Sequence, residues 1–307
     1  MDYLLLTGGL IGLFFGGEAL VRGAASIAHR LAIPPLLIGL TVVGFGTSTP
    51  ELLVSVDAAL RGTPDIAIGN VVGSNIGNIL LIVGLSAVIW PIRVSRGTLS
   101  RDTAVMMAAA LVLLPLFWVG EMGRLSGALL IAGLAGYLLW AFLRPGVPVP
   151  DEGMGSALPG WQALLWILAG LAALLIGARL LVDGAVNIAR ELGVSEAFIG
   201  LTVVAVGTSL PELATSLIAA FRRQSEIAIG NIVGSNVFNV LGILGATALI
   251  APIPVAGRFV TFDLPVMIAV TGVLAGLLLL RPSIERRAGM AFLAAYAAYI
   301  WAAQGST

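Results

Sequence analysis

Two carboxylates lie within runs of residues that are otherwise apolar. Glu51 belongs to GTSTPELLVS, which begins at Gly46, and Glu212 to GTSLPELATS, which begins at Gly207. A charge inside a membrane-length apolar run is costly to bury, and it is found where it meets an ion or a proton. Each glutamate directly follows a proline, Pro50 or Pro211. Proline removes a backbone donor and clashes with the preceding turn, so a helix running through it must break. A broken helix exposes carbonyl oxygens, and at bilayer depth these are tolerated only when buried in protein or lining a polar cavity. Thr47 and Ser48 precede one proline, Thr208 and Ser209 the other. Each break therefore gathers hydroxyl, carbonyl and carboxylate oxygens, with no nitrogen or sulfur ligand.

A second motif follows each of these. GNVVGSNIGN begins at Gly69 and GNIVGSNVFN at Gly230, so both motifs recur at an offset of 161 residues. Aligned at that offset, residues 39–56 match 200–217 at 12 of 18 positions, and 66–84 match 227–245 at 13 of 19. At helical spacing Ser74 and Asn78 share one face, as do Ser235 and Asn239. Carboxylates, amide and backbone carbonyls and hydroxyls are the donors that hard cations prefer, and Ca²⁺ takes about 6 to 8 oxygens. Two bidentate glutamates and two carbonyls at the breaks would supply about six of these. Two buried carboxylates are neutralised by one Ca²⁺, by two Na⁺ or by two protons.

The elements that must hold these groups are helices in a membrane. The 307 residues are 59% hydrophobic and 10% charged, with a mean hydropathy of +1.05, against about 25% charged in a soluble domain. Cysteine is absent, which removes disulfides and thiolate metal sites. Met1-Asp2-Tyr3 lacks the basic start of a cleaved signal peptide, so the first apolar segment is expected to be a retained helix. Apolar runs and Pro/Gly punctuation predict spans near 3–28, 36–60, 65–89, 102–119 and 124–143, then 161–189, 197–221, 226–250, 262–280 and 288–304. The expected fold is all-α and polytopic: ten transmembrane helices as two inverted five-helix repeats, 1–143 and 161–307, with broken helices at the midplane and a cytoplasmic linker over 144–160. Inversion follows from the odd number of crossings in each half. With the N-terminus outside, ten arginines fall in inner loops and four in outer ones, the bias that sets orientation. Both termini are thus expected outside a cell (inner) membrane.

The paired GTS-x-PE and GN-x-x-GSN-x-x-N motifs resemble the α-repeats of the calcium/cation antiporter superfamily, above all its prokaryotic sodium/calcium exchangers, from about Gly16 to the end of the chain. The resemblance implies a secondary antiporter, not an enzyme, in which Glu51 and Glu212 with the carbonyls of Thr47 and Thr208 hold Ca²⁺. It further implies that Na⁺ uses the same glutamates with Ser48, Ser209, Ser74, Ser235 and a carbonyl near Gly44 or Ala205, and that the first and sixth spans form a pair sliding across the core. Exchangers of this family often carry aspartate where this chain has Asn239, the counterpart of Asn78. Proton/calcium exchangers of the superfamily tend to carry asparagine there but usually lack GTS-x-PE. Sodium is the preferred coupling ion and the proton the alternative. Ca²⁺, Na⁺ and the lipid bilayer are the expected partners, with no cofactor and no nucleic acid.

Other polar residues have plainer readings. Asp57 precedes Arg61 by four, the favourable order for a local helix pair. Glu18 and Arg22 are four apart, and the same offset gives Arg179 and Asp183 with charges reversed; two local ion pairs are expected, and a cross-helix latch is the rarer reading. His29 is expected at the surface. Asn70 and Asn231 read equally as helix caps or ligands. A channel ringed by carboxylates is the competing class, less suited to an internal repeat with broken helices. An intramembrane hydrolase is discounted because Asp57 and Asp183 share no motif.

Overall fold

In the computed structural model the described residues are 1–93, 96–144, 158–193, 205–280 and 283–305. Helix α1 (Asp2–Leu31) is followed by a span in two pieces, α2 (Pro35–Thr47) and α3 (Thr49–Leu60), bent by 44°. Then come α4 (Pro64–Ile89), α5 (Arg96–Trp118) and α6 (Arg124–Leu143). The later half holds α7 (Gly160–Glu191), the short α8 (Ala205–Thr208), α9 (Leu210–Phe221), α10 (Ser225–Ile250), α11 (Phe259–Leu280) and α12 (Arg286–Gly305). Among the described residues seven helices are long and apolar enough to cross a bilayer, eight with the bent pair counted. The protein is an all-α, multi-pass membrane protein. The expected linker falls outside the described residues over 145–157, as does the start of the expected 197–221 span through 204.

Burial orders the helices from the centre outward. In α10, 94% of the most apolar stretch is buried inside the protein, and in α4 72%, against 28% in α7. The two helices carrying the GSN motifs are therefore central, and α7 turns most of its apolar surface outward, as a lipid-facing helix does. α1 and α7 run antiparallel along a seam of small residues. A Cβ on Gly16 would lie 2.7 Å from the Leu174 amide nitrogen, and one on Gly170 would lie 2.6 Å from that of Leu20. Between membrane helices close packing takes the place of the hydrophobic drive, and glycine permits such backbone contact.

Short antiparallel strand pairs tie the ends of the two halves together. β1 (Ile92–Arg93) pairs with β4 (Ser283–Ile284), and β2 (Glu121–Met122) with β3 (Ile253–Pro254). Shifting β1 by 161 residues gives β3, and the first pairing then falls one residue from the register of the second.

α4 and α10 each pass through a π-helical stretch, Asn78–Val83 and Phe238–Leu244. These wider turns cluster at functional sites in other helices, and here they contain Asn78 and Asn239.

Candidate functional site

The break between α2 and α3 falls at Ser48, whose φ/ψ of −80°/10° leave the helical region. Ser209, between α8 and α9, repeats it at −89°/8°. Pro50 and Pro211 follow two residues later and offer no N–H. The chain restarts as helix at once, so Glu51 and Glu212 occupy the first turns of α3 and α9. That is the positive end of a helix, where a carboxylate is steadied. Both glutamates are 1% exposed.

The breaks serve each other. Ser48 donates its hydroxyl to Glu212 Oε1 at 2.8 Å, and Ser209 donates to Glu51 Oε1 at 3.2 Å. The other oxygen of each carboxylate, Oε2, is buried and accepts no hydrogen bond from the protein. The amide oxygens of Asn78 and Asn239 are in the same condition. Their orientation is set by their nitrogens: Asn78 Nδ2 donates to Asn236 Oδ1 at 3.0 Å and Asn239 Nδ2 to Asn75 Oδ1 at 2.9 Å. A buried acceptor without a donor costs about 1–3 kcal/mol, more when charged. These four oxygens, two of them on carboxylates, form two repeat-related pairs. Acceptors of this kind could be satisfied by a metal cation or, at the carboxylates, by protons.

The remaining motif residues brace the frame. Asn70 donates to the Glu51 carbonyl at 3.0 Å and to Ser55 at 2.9 Å; Asn231 donates to the Glu212 carbonyl at 3.2 Å and to Ser216 at 2.9 Å. They lie within α4 and α10 and clamp the carboxylate-bearing helix of their own half, so the reading of these residues as caps is corrected. Thr47 donates toward Asn231 Oδ1 at 3.1 Å and the Val43 carbonyl at 3.1 Å. Ser235 donates to the Gly44 carbonyl at 3.1 Å, a contact between two residues that the resemblance placed in one ligand set. Ser74 lies 3.3 Å from Ser209. Thr208 ends α8 beside Ser209, and Ala205 begins it.

The two sides of the site differ in access. Thr47, Ser48 and Ser235 are wholly buried. Ser209 is half-buried and borders, with Ser74, Gly77, Val206 and Tyr296, a cavity of about 30 Å³, room enough for a water. At the positions corresponding to Val206 and Gly77 stand Phe45 and Phe238, stacked with centroids 4.3 Å apart.

Several charges have partners other than those expected. Glu18 does not pair with Arg22: it takes Arg222, just past α9, at 2.6 and 2.8 Å. Arg22 sits over the Trp166 ring at 5.0 Å. Arg179 and Asp183 are exposed and form no ion pair with each other. Asp57–Arg61 is present at 2.7 Å, and His29 is exposed.

A second repeat-related pair of carboxylates was missed. Buried Asp102 takes Arg101 at 2.7 Å and the Tyr137 hydroxyl at 3.3 Å, and buried Asp263 takes Arg258 at 3.1 Å and the Tyr299 hydroxyl at 3.0 Å. The offset of 161 was the available signal, but their neighbours differ. Both are fully engaged, fastening α5 to α6 and α11 to α12.

A family profile described as "Sodium/calcium exchanger protein" matches residues 1–143 and 162–304. The putative antiporter CaxA of Alkalimonas amylolytica is 41% identical over 275 residues, which cover 86% of this chain and 85% of that protein. Sodium/calcium exchanger MaX1 of Methanosarcina acetivorans is 32% identical, with 98% of this chain and 97% of that one covered. A solved structure of the sodium-calcium exchanger NCX_Mj superposes with a TM-score of 0.86 at 33% identity, covering 97% of each chain.

Proposed function

The chain belongs to the sodium/calcium exchanger protein family, and on that footing we propose that it is a secondary antiporter moving Ca²⁺ one way and Na⁺ the other through a single site between Glu51 and Glu212. The observation that carries this reading is the set of four buried, donor-free oxygens on Glu51, Glu212, Asn78 and Asn239. Ca²⁺ is held by the two carboxylates, these amides and the carbonyls of Thr47 and Thr208. Na⁺ is held by the same carboxylates with Ser48, Ser209, Ser74, Ser235 and the carbonyls of Gly44 and Ala205.

Exchange follows from electrostatics. With its cargo gone, the site holds two carboxylates at bilayer depth, and moving them past lipid uncompensated is costly. The protein therefore crosses between its access states only when loaded, and one cation must replace another. Two inverted five-helix repeats supply the two states, with α1 and α7 sliding over the core and both termini outside.

Proton coupling is the second reading. Asn239 leaves two carboxylates in the motifs, and two protons neutralise them as two Na⁺ do. The deciding experiment is ⁴⁵Ca flux in proteoliposomes under a sodium gradient or a pH gradient alone, with voltage clamped by potassium and valinomycin. Sodium-driven flux supports the first reading, and flux driven by pH alone replaces it with the second. Calcium flux that needs no counter-ion would mean a channel.

A further inference from the structure

Four asparagines close a ring between the two central helices, and two of them, Asn75 and Asn236, have no place in the ligand set proposed above. Asn75 on α4 grips α10 at two points: its Nδ2 donates to the Asn236 carbonyl at 3.2 Å, and its Oδ1 accepts from Asn239 Nδ2 at 2.9 Å. Asn236 returns both contacts. Its Nδ2 donates to the Asn75 carbonyl at 3.5 Å, and its Oδ1 accepts from Asn78 Nδ2 at 3.0 Å. All four residues are buried, the most accessible of them only 3% exposed.

The ring has one polarity, and the backbone sets it. A carbonyl oxygen accepts and cannot donate, so Asn75 turns its nitrogen to the Asn236 carbonyl and leaves its oxygen for Asn239. Asn236 is held in the same sense twice, since its nitrogen faces the Asn75 carbonyl and, at 3.7 Å, the Met106 thioether, another group that only accepts. Reversing one amide would set oxygen against oxygen and leave buried groups unpaired, which is costly. Asn78 and Asn239 must therefore give their nitrogens to the ring, and their oxygens are the ends left without a donor.

We infer that Asn75 and Asn236 are positioning residues for cation binding: each holds the amide of Asn239 or Asn78 so that oxygen, and not nitrogen, faces the ion. This rests on the exchanger reading above, in which those amides share the ion with Glu51 and Glu212. The orienting residue always belongs to the opposite repeat, Asn75 acting on Asn239 and Asn236 on Asn78. Released from the ring, the Asn239 nitrogen lacks an acceptor and turns toward the donor-free carboxylate oxygens of the shared site. A cation must then displace a hydrogen bond to a charged group, one of the stronger kind, before it gains the amide oxygen.

A double substitution separates orientation from packing. Leucine matches asparagine closely in shape and offers neither donor nor acceptor, whereas aspartate at position 239 presents oxygen whichever way it turns. Isothermal titration with Ca²⁺ is run on the purified full chain, on Asn75→Leu, on Asn239→Asp and on the two combined. Asn75→Leu is expected to weaken binding about ten-fold when residue 239 is asparagine. With Asn239→Asp present, where no nitrogen remains to misdirect, the same change is expected to cost less than about two-fold. Equal losses in the two backgrounds mark a merely structural role and overturn the inference, as does undiminished binding by Asn75→Leu. If that variant does not fold, Asn236→Leu with Asn78→Asp carries the same test in the other half. Absence of Ca²⁺ binding by the unsubstituted chain would remove the exchanger reading, whereas normal binding there with equal losses in both backgrounds removes the positioning role alone.

Discussion

Ser48 and Glu212 lie 164 positions apart, and the Ser48 hydroxyl donates to Glu212 Oε1 at 2.8 Å. The break in one half thus supports the carboxylate of the other, and Ser209 returns the contact to Glu51 at 3.2 Å. Neither repeat builds the site alone.

The unequal surroundings of these serines predict unequal costs. Ser48→Ala removes the hydroxyl donor to Glu212 in a fully buried place, where a hydrogen bond to a charged group contributes about 1.5–3 kcal/mol. Calcium affinity should fall by roughly 10- to 100-fold. Ser209→Ala should cost less, because the cavity beside it admits water as a substitute donor. Half-saturating Ca²⁺ for ⁴⁵Ca exchange in proteoliposomes measures both, and equal losses would count against the asymmetry of access.

Replacing either carboxylate acts on charge and not on shape. Glu51→Gln or Glu212→Gln leaves one negative charge to face a divalent ion, and losing one partner of a buried charge pair costs about 2–5 kcal/mol. Calcium exchange should drop by at least about 30-fold. Acidic buffer should act in the same direction on the unsubstituted protein, since protonation also removes the charge. Isothermal titration with Ca²⁺ checks the binding step, and near-normal affinity in both variants would remove the site.

Much of this was legible in the chain. GTS-x-PE announced a broken helix with a carboxylate beside it, because proline's missing donor is a local property. Among the described residues the helices begin and end within six residues of the apolar runs that predicted them, the start of the 197–221 run lying outside those residues. What could not be read were contacts made across the repeats. Local spacing pairs Glu18 with Arg22, four residues on, whereas the fold brings Arg222 to it. Nor does spacing tell which amide atom of Asn78 is free; that is settled by Asn236, 158 positions away.

Asn239 is predicted to be tuned to two carboxylates. Its nitrogen donates to Asn75 Oδ1, and aspartate cannot donate when ionised. Asn239→Asp therefore strips Asn75 of a partner and adds a third negative charge, which should lower the melting temperature in chelator. Calcium relieves the added charge, so the rise in melting temperature on adding saturating Ca²⁺ should exceed that of the unsubstituted protein, by the linkage between binding and stability. Asn78→Asp should behave alike, because Asn78 donates to Asn236 in the same way.

The Asp102 cluster makes the opposite prediction, stability without transport chemistry. Removing the charge by Asp102→Asn leaves Arg101 uncompensated beside a buried partner, and breaking such a pair costs about 3–5 kcal/mol. Thermal melting should fall clearly, while the half-saturating Ca²⁺ of the folded protein stays where it was. A changed calcium dependence would tie this cluster to the ion site.

The seam between α1 and α7 can be tested apart from the ion ligands. A methyl group on Gly16 would meet the Leu174 backbone at 2.7 Å and the Gly170 carbonyl at 3.0 Å. Backbone cannot rotate aside as a side chain can, so Gly16→Ala must part the helices, and overpacking of this kind costs about 1–3 kcal/mol. Gly136→Ala on α6 is the matched control, since nothing lies within 4 Å of its added methyl. If α1 and α7 move as one unit over the core, parting them should slow exchange while leaving calcium binding nearly intact, because Glu51 and Glu212 stand on α3 and α9. Exchange rate and calcium-induced thermal stabilisation, measured on the same preparations, separate the two effects. A parallel loss of both would mean that the seam shapes the site itself.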